Sequence, residues 1–380
     1  MVRRCAWFTC LLLLGLLSVQ AQSATHARWN VGYHLLTFND PLDDQPMQAY
    51  AFYPTQRPTR AERLGGYTID AALDAPVAIG RFPMLMLSHG NTGTPLALHD
   101  LITALSRKGF VVIAVVHPGD NAEDHSRLGK LSNLYGRPLQ ISQAITAALA
   151  DSTLSPFVNA SAVGVIGYSA GGETALILSG ARPDLQRLRT YCEERPYDAD
   201  ACQTQGELEA DRGDLTPEAD SRVRALLLMA PLSLMFGRQT LAEVQVPTLI
   251  YSGDNDQLVA PDKNADALAR KLPGYTDYRL LPGAGHFVFM ARAAPNSAAR
   301  HLRCARMPTA STVKAFIATL FMRRADSSPR CWVDPREPAC RLPIIDPGVT
   351  ATTSARGLSK TGRRPRRRSS RSRSLRQLHP

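Results

Sequence analysis

Apolar residues along this chain gather into short unbroken runs separated by segments of helical spacing. Met84–Leu87, Phe110–Val116, Ala162–Ile166, Ala225–Met229 and Thr248–Ser252 are nearly continuous, and such runs bounded by turn residues predict strands buried on both faces. Between and after them, Leu96–Arg107, Leu139–Leu149, Gly171–Leu178, Asp262–Leu272 and Ser311–Met322 read as helices, the first closed by Gly109. Val31–Phe38 and Gln48–Tyr53 add two strands at the start, followed by a Pro- and Gly-bearing connection through Pro83, and Tyr278–Leu281 adds one strand near the end. Strands alternating with helices predict an α/β domain from Trp29 to about Arg324, with a mostly parallel sheet covered on both faces.

Two segments break the alternation. Pro183 to Ser221 is polar and acidic and holds Cys192 and Cys202. It is too long for a plain connection, which predicts a cap-like insertion near the site. Gly348 to Pro380 is dominated by Ser and Arg, and such a composition has nothing to bury and is expected to be disordered.

The charge changes little once it is located. The formal net charge is +11, but the last segment carries ten Lys or Arg and no acid, and Arg3 and Arg4 add two more. The body is therefore close to neutral, and no specific nucleic-acid partner is expected, although the basic tail offers a surface for polyanions. Residues 1–23 read as a secretory signal, with Arg3-Arg4 before an apolar run to Leu17 and small residues around Ala21. That run is too short for a hydrocarbon layer of ~30 Å, so no transmembrane segment is expected and the mature protein is placed outside the cytoplasm, secreted or periplasmic. Export permits disulfides. Cys192 with Cys202 and Cys331 with Cys340, the latter in a short extension over residues 325–347, are the natural pairs, leaving Cys304 odd with its partnership open. No Cys-x-x-Cys or His at ligand spacing accompanies them, so no metal is expected.

The chemistry centres on Gly167-Tyr168-Ser169-Ala170-Gly171. A bare Gly-x-Ser-x-Gly arises by chance in roughly one chain in ten of this length. Here it follows a predicted strand and opens a predicted helix, the setting of a nucleophile elbow. Ser169 is the candidate nucleophile. A serine needs a base and the base an orienting acid. His286, in the glycine loop Pro282-Gly283-Ala284-Gly285-His286 after the last strand, is the candidate base; His301 reads as a surface residue. Gly253-Asp254-Asn255-Asp256 supplies the acid, with Asp256 favoured and Asp254 expected to bond its local turn. The oxyanion donors are expected to be the N–H groups of Ala170 and of Asn91, with Thr92 next, from the loop Ser88-His89-Gly90-Asn91-Thr92-Gly93. His89 reads as a loop support, His117-Pro118-Gly119-Asp120 as a turn, and Glu173 as a solvated or supporting residue.

Taken in order, these motifs resemble those of predicted bacterial dienelactone hydrolases, relatives of the platelet-activating-factor acetylhydrolases in the α/β-hydrolase superfamily, over about Val31 to Phe321. The resemblance implies a Ser-Asp-His triad, no cofactor, and hydrolysis of esters with short or modified acyl chains. Three other functions fit the same sequence: a lipase or polyester hydrolase, an acyltransferase, and a polyanion-binding protein acting through its tail. The sequence leaves the oligomeric state open.

Overall fold

The computed structural model describes residues 29–198, 202 and 208–291. The expected signal, the helix over 311–322, His301, Cys304, Cys331, Cys340 and the basic tail lie outside those residues. Ten strands form one sheet: β1 Asn30–Asn39, β2 Pro46–Thr55, β3 Arg60–Leu64, β4 Tyr67–Leu73, β5 Phe82–Ser88, β6 Val111–Val115, β7 Val158–Tyr168, β8 Val223–Met229, β9 Thr248–Gly253 and β10 Thr276–Leu281. Their spatial order is β10-β9-β8-β7-β5-β6-β2-β1-β4-β3. From β10 to β6 every pairing is parallel. β2 joins β6 and β1 antiparallel.

The unbroken apolar runs bury both faces. Met84 and Met86 of β5 enter one core with Val163, Val165, Leu226 and Leu228. Leu85 and Leu87 point the other way and pack with Ile166, Leu227 and Met229. Helices α2 Leu131–Ala150 and α3 Ala170–Leu178 cover the first face, and α1 His99–Ser106 covers the second. A period of two within an apolar run thus feeds two cores at once.

The structure corrects several boundaries. The connection before Pro83 contains a hairpin, β3 and β4, turned by Gly65 and Gly66 at φ 48° and 84°. Two successive positive φ values are what a tight hairpin turn requires; the strand Arg-Ala-Glu-Arg-Leu is too polar to read as buried, because it lies at the sheet edge. Helix α2 begins at Leu131, eight residues before the expected start, because Gly136 and Pro138 lie inside it rather than ending it. Leu96–Arg107 divides into a 3₁₀ turn, Pro95–Leu98, and α1. Of the expected helix Asp262–Leu272 only α5, Ala265–Ala269, is regular.

Within the segment 183–221 lies α4, Leu185–Glu194, which fully buries Leu188 and lays Leu185, Tyr191 and Cys192 beside it on the core. Cys192 bonds Cys202. Beyond that bridge, Glu209 exchanges backbone hydrogen bonds with Gly129 and Leu131, and Asp211 accepts the Ser132 N–H at 2.9 Å. This part of the segment lies against the start of α2.

Candidate active site

Strand β7 ends at Tyr168 and α3 begins at Ala170, leaving Ser169 alone in the turn with φ 55° and ψ −118°. A non-glycine residue in that conformation is strained and persists only where its surroundings enforce it. The flanking glycines are required by contact. A Cβ on Gly167 would stand 2.3 Å from the Gly171 carbonyl oxygen, and one on Gly171 would stand 2.0 Å from that of Ser88. The tight turn sets Ser169 at the N-terminus of α3, where aligned peptide dipoles favour negative charge.

The loops at the ends of β9 and β10 meet Ser169. His286 Nε2 lies 3.1 Å from Ser169 Oγ, and His286 Nδ1 lies 2.8 Å from Asp256 Oδ2. Asp256 is 4% exposed, and its other oxygen accepts the N–H groups of Leu258 and Val259 at 3.1 and 2.8 Å. A buried carboxylate so held keeps Nδ1 protonated and Nε2 free to accept a proton. The Tyr168 ring lies 5.2 Å from the imidazole, and its hydroxyl donates to the His286 carbonyl at 3.2 Å. Asp254 is turned away: its Oδ1 accepts the Gly283 N–H at 2.7 Å. It ties the acid turn to the histidine loop rather than bonding its own turn.

Asn91 and Ala170 line a common small recess, open to solvent and also lined by Lys130 just before α2, Asn133 and Arg137 of α2 and Glu173 of α3. Gly90 packs on the nucleophile, where a Cβ would lie 3.1 Å from that of Ser169. Of the two expected loop donors, Thr92 is engaged, since its N–H donates to Asp120 Oδ1 at 2.6 Å. The N–H of Asn91 is the other expected donor from that loop.

Asp120 is therefore more than a turn residue. It is fully buried, and its Oδ2 accepts from Asn133 Nδ2 at 2.8 Å and Arg137 Nη1 at 2.6 Å. Burial pushes the carboxyl upward, but the Arg137 guanidinium, the Thr92 N–H and the Asn133 amide together hold it below the usual carboxylate range. Arg137 also donates to Ser88 Oγ and to the His89 carbonyl. His89 acts as a loop support, its Nδ1 donating to the Gly90 carbonyl at 2.8 Å and its Nε2 accepting the His117 N–H at 3.3 Å. Burial, reinforced by Arg137, pushes the His89 imidazole down to about 3, and His117 is likewise lowered by burial, by Arg137 and by His89. Both rings are neutral. Glu173, read from the sequence as solvated or supporting, is 4% exposed and so is not a solvated residue. Sequence reading missed Asn133 and Arg137, whose signal, an Arg flanked by Gly136 and Pro138, looks like a helix break.

The chain matches no family model and no curated protein. Among solved structures it is similar to a ferulic acid esterase from Streptomyces cinnamoneus, with a TM-score of 0.53 and 17% identity over 81% of this chain and 94% of that one. What the two share is the α/β-hydrolase fold. The likeness stops at the fold and does not reach the dienelactone hydrolase family that the motifs resemble.

Proposed function

We propose that the protein is a serine hydrolase that cleaves carboxylic esters, with Ser169 as nucleophile, His286 as base and Asp256 as orienting acid. The observation that carries this reading is the continuous chain of contacts from Ser169 Oγ through His286 to Asp256 at 3.1 and 2.8 Å, within the reach that proton transfer needs. His286 Nε2 takes the Ser169 proton as Oγ attacks the ester carbonyl. The N–H groups of Asn91 and Ala170 receive the developing oxyanion. His286 then returns the proton to the leaving alcohol, and a water molecule, activated by the same ring, releases the acyl group and restores Ser169.

The fold likeness to an esterase is in keeping with this reading. The compact recess beside Asn91 and Ala170 favours short acyl groups, as the resemblance to dienelactone and platelet-activating-factor acetyl hydrolases implies, over the long chains of a lipase. The Cys192–Cys202 disulfide favours an oxidising, exported location. The deciding experiment is turnover of p-nitrophenyl esters of increasing acyl length by wild type and Ser169→Ala. Wild type is expected to hydrolyse the short esters and the variant to lose at least about 10³-fold in kcat; a variant within tenfold of wild type overturns the assignment. Added alcohol acceptors in the same assay distinguish hydrolysis from acyl transfer.

A further inference from the structure

Asn133, Arg137 and Gln140 stand four and three residues apart on α2, so they share one face of the helix, and all three are buried. Asn133 and Arg137 meet Asp120. Gln140 meets Asp40 instead, the buried residue that follows β1, and its Nε2 donates to the two carboxylate oxygens at 3.2 and 3.1 Å. Arg127 Nη1 donates to the same carboxylate at 2.8 Å.

A carboxylate only accepts, and that fixes the sense of every bond that follows. The Gln140 atom facing Asp40 is the amino nitrogen, so Oε1 is the atom that faces His117 Nδ1 at 2.8 Å. An amide oxygen also only accepts, so Nδ1 carries the ring proton. The ring is neutral, since burial, Arg137 and His89 all lower it, and Nε2 is left bare. Ser88 Oγ, 2.9 Å from Nε2, is therefore the donor there, and its lone pair accepts from Arg137 Nη2 at 3.2 Å. The opposite tautomer would set a bare Nδ1 against Gln140 Oε1, two acceptors 2.8 Å apart.

The far end of this line of bonds is the oxyanion loop. Arg137 Nη2 also donates to the His89 carbonyl, and Nη1 holds Asp120, whose other oxygen takes the Thr92 N–H. One guanidinium thus holds the residues on both sides of Gly90 and Asn91. The buried Glu173 carboxylate of α3 adds attraction to the same cation, and it is unchanged in every variant below.

Resting on the esterase reading, we propose that Gln140 is a positioning residue for the oxyanion hole, acting through His117 and Ser88 on the Arg137 fork. It orients the His117 ring, the ring orients the Ser88 hydroxyl, and the hydroxyl oxygen fixes where the guanidinium sits against the loop. The alternative is a Gln140 that only satisfies the buried Asp40, whose loss would cost stability without moving the oxyanion donors.

The test is a double-mutant cycle of Ser88→Ala and Gln140→Met, the latter nearly the same shape without the amide. The four proteins are assayed for p-nitrophenyl acetate turnover and for inhibition by ethyl trifluoromethyl ketone, which adds to a serine as a tetrahedral oxyanion. Ser88→Ala is expected to lower kcat and raise the ketone Ki by about tenfold each, with KM within about twofold, because only the oxyanion feels a shifted donor. Gln140→Met is expected to do the same by about fivefold in the wild-type background and by less than about twofold in Ser88→Ala, since residues that act through one another do not add. Factors that multiply in the double variant, or kcat and Ki unchanged in either single variant, overturn the inference. So does a His117 ring protonated at Nε2 in the ring-nitrogen NMR spectrum of the wild-type protein, where protonation at Nδ1 is expected. If Gln140→Met does not fold, Ser88→Ala and the ring spectrum still decide. A wild-type protein that turns over no ester removes the esterase reading and this inference with it, whereas an active one with multiplying factors removes the inference alone.

Discussion

The Thr92 N–H donates to Asp120 Oδ1 at 2.6 Å, so the loop after strand β5 is held by the loop after its neighbour β6. Thr92 has φ 52°, and a β-branched residue in that conformation is held there by its contacts. The bond engages one of the two candidate oxyanion donors of that loop. Asp120→Asn keeps an acceptor for Thr92 but loses the charge opposite Arg137. It is expected to lower kcat about tenfold with KM little changed. Asp120→Ala, which leaves a buried guanidinium uncompensated, is expected to cost about 3–5 kcal/mol of stability. Steady-state kinetics and urea unfolding check the pair; an Asp120→Ala protein as stable and active as wild type would show that the contact positions nothing.

The two aspartates of the acid turn separate cleanly. Asp256 touches His286 Nδ1 and Asp254 touches Gly283. Asp256→Asn is expected to drop kcat by about 10⁴-fold by favouring the wrong tautomer, and Asp254→Asn by only a few-fold. Equal losses in the two variants would refute the assignment of the acid.

Stability is expected to fall as the solution is acidified below about pH 6.5. His89 is pushed down to about 3 and His117 is also lowered. In the unfolded chain both titrate near 6.5. Between those limits the unfolded chain binds protons that the folded chain refuses, so acid favours unfolding by on the order of 1 kcal/mol per pH unit for each ring. The depressed Asp120 acts in the same direction once the pH falls through the carboxylate range. Urea midpoints flat from pH 7.5 to 5 would contradict neutral burial of these rings.

The elbow glycines make a steric prediction. Gly171→Ala places a Cβ 2.0 Å from the Ser88 carbonyl oxygen, whereas a Cβ on Gly213 meets nothing within 4 Å. Gly171→Ala is expected to cost more than about 3 kcal/mol, and Gly213→Ala to stay within about 0.5 kcal/mol of wild type. Thermal melts of the two variants check the contrast, and matched melting temperatures would remove the close approach from the account.

The parallel strands and the relay were legible because each rests on local signals. Unbroken apolar runs mark β5 to β9, and the order Ser, Asp, His follows the order in which strand ends reach one edge of the sheet. What escaped depends on partners distant in sequence. Asp120 reads as part of a Pro-Gly turn, and only the fold brings it to Thr92 and Arg137, which stand 28 and 17 residues away. Arg137 lies between a glycine and a proline that α2 absorbs without breaking. In the β3–β4 hairpin, β3 is a polar edge strand, and β4 sends only Ile69 and Ala71 into the core, an alternation too short to stand out in the sequence.

Leu208 lines the recess and follows the Cys192–Cys202 bridge, while Ser169, His286 and Asp256 stand at the ends of sheet strands. The proposed relay thus stands at the strand ends, whereas one wall of the recess beside Asn91 and Ala170 comes from the stretch that follows the bridge. Substitution of Leu208 is expected to reshape that wall while the strand-borne residues stay fixed, which makes this position the natural place to engineer a new substrate range.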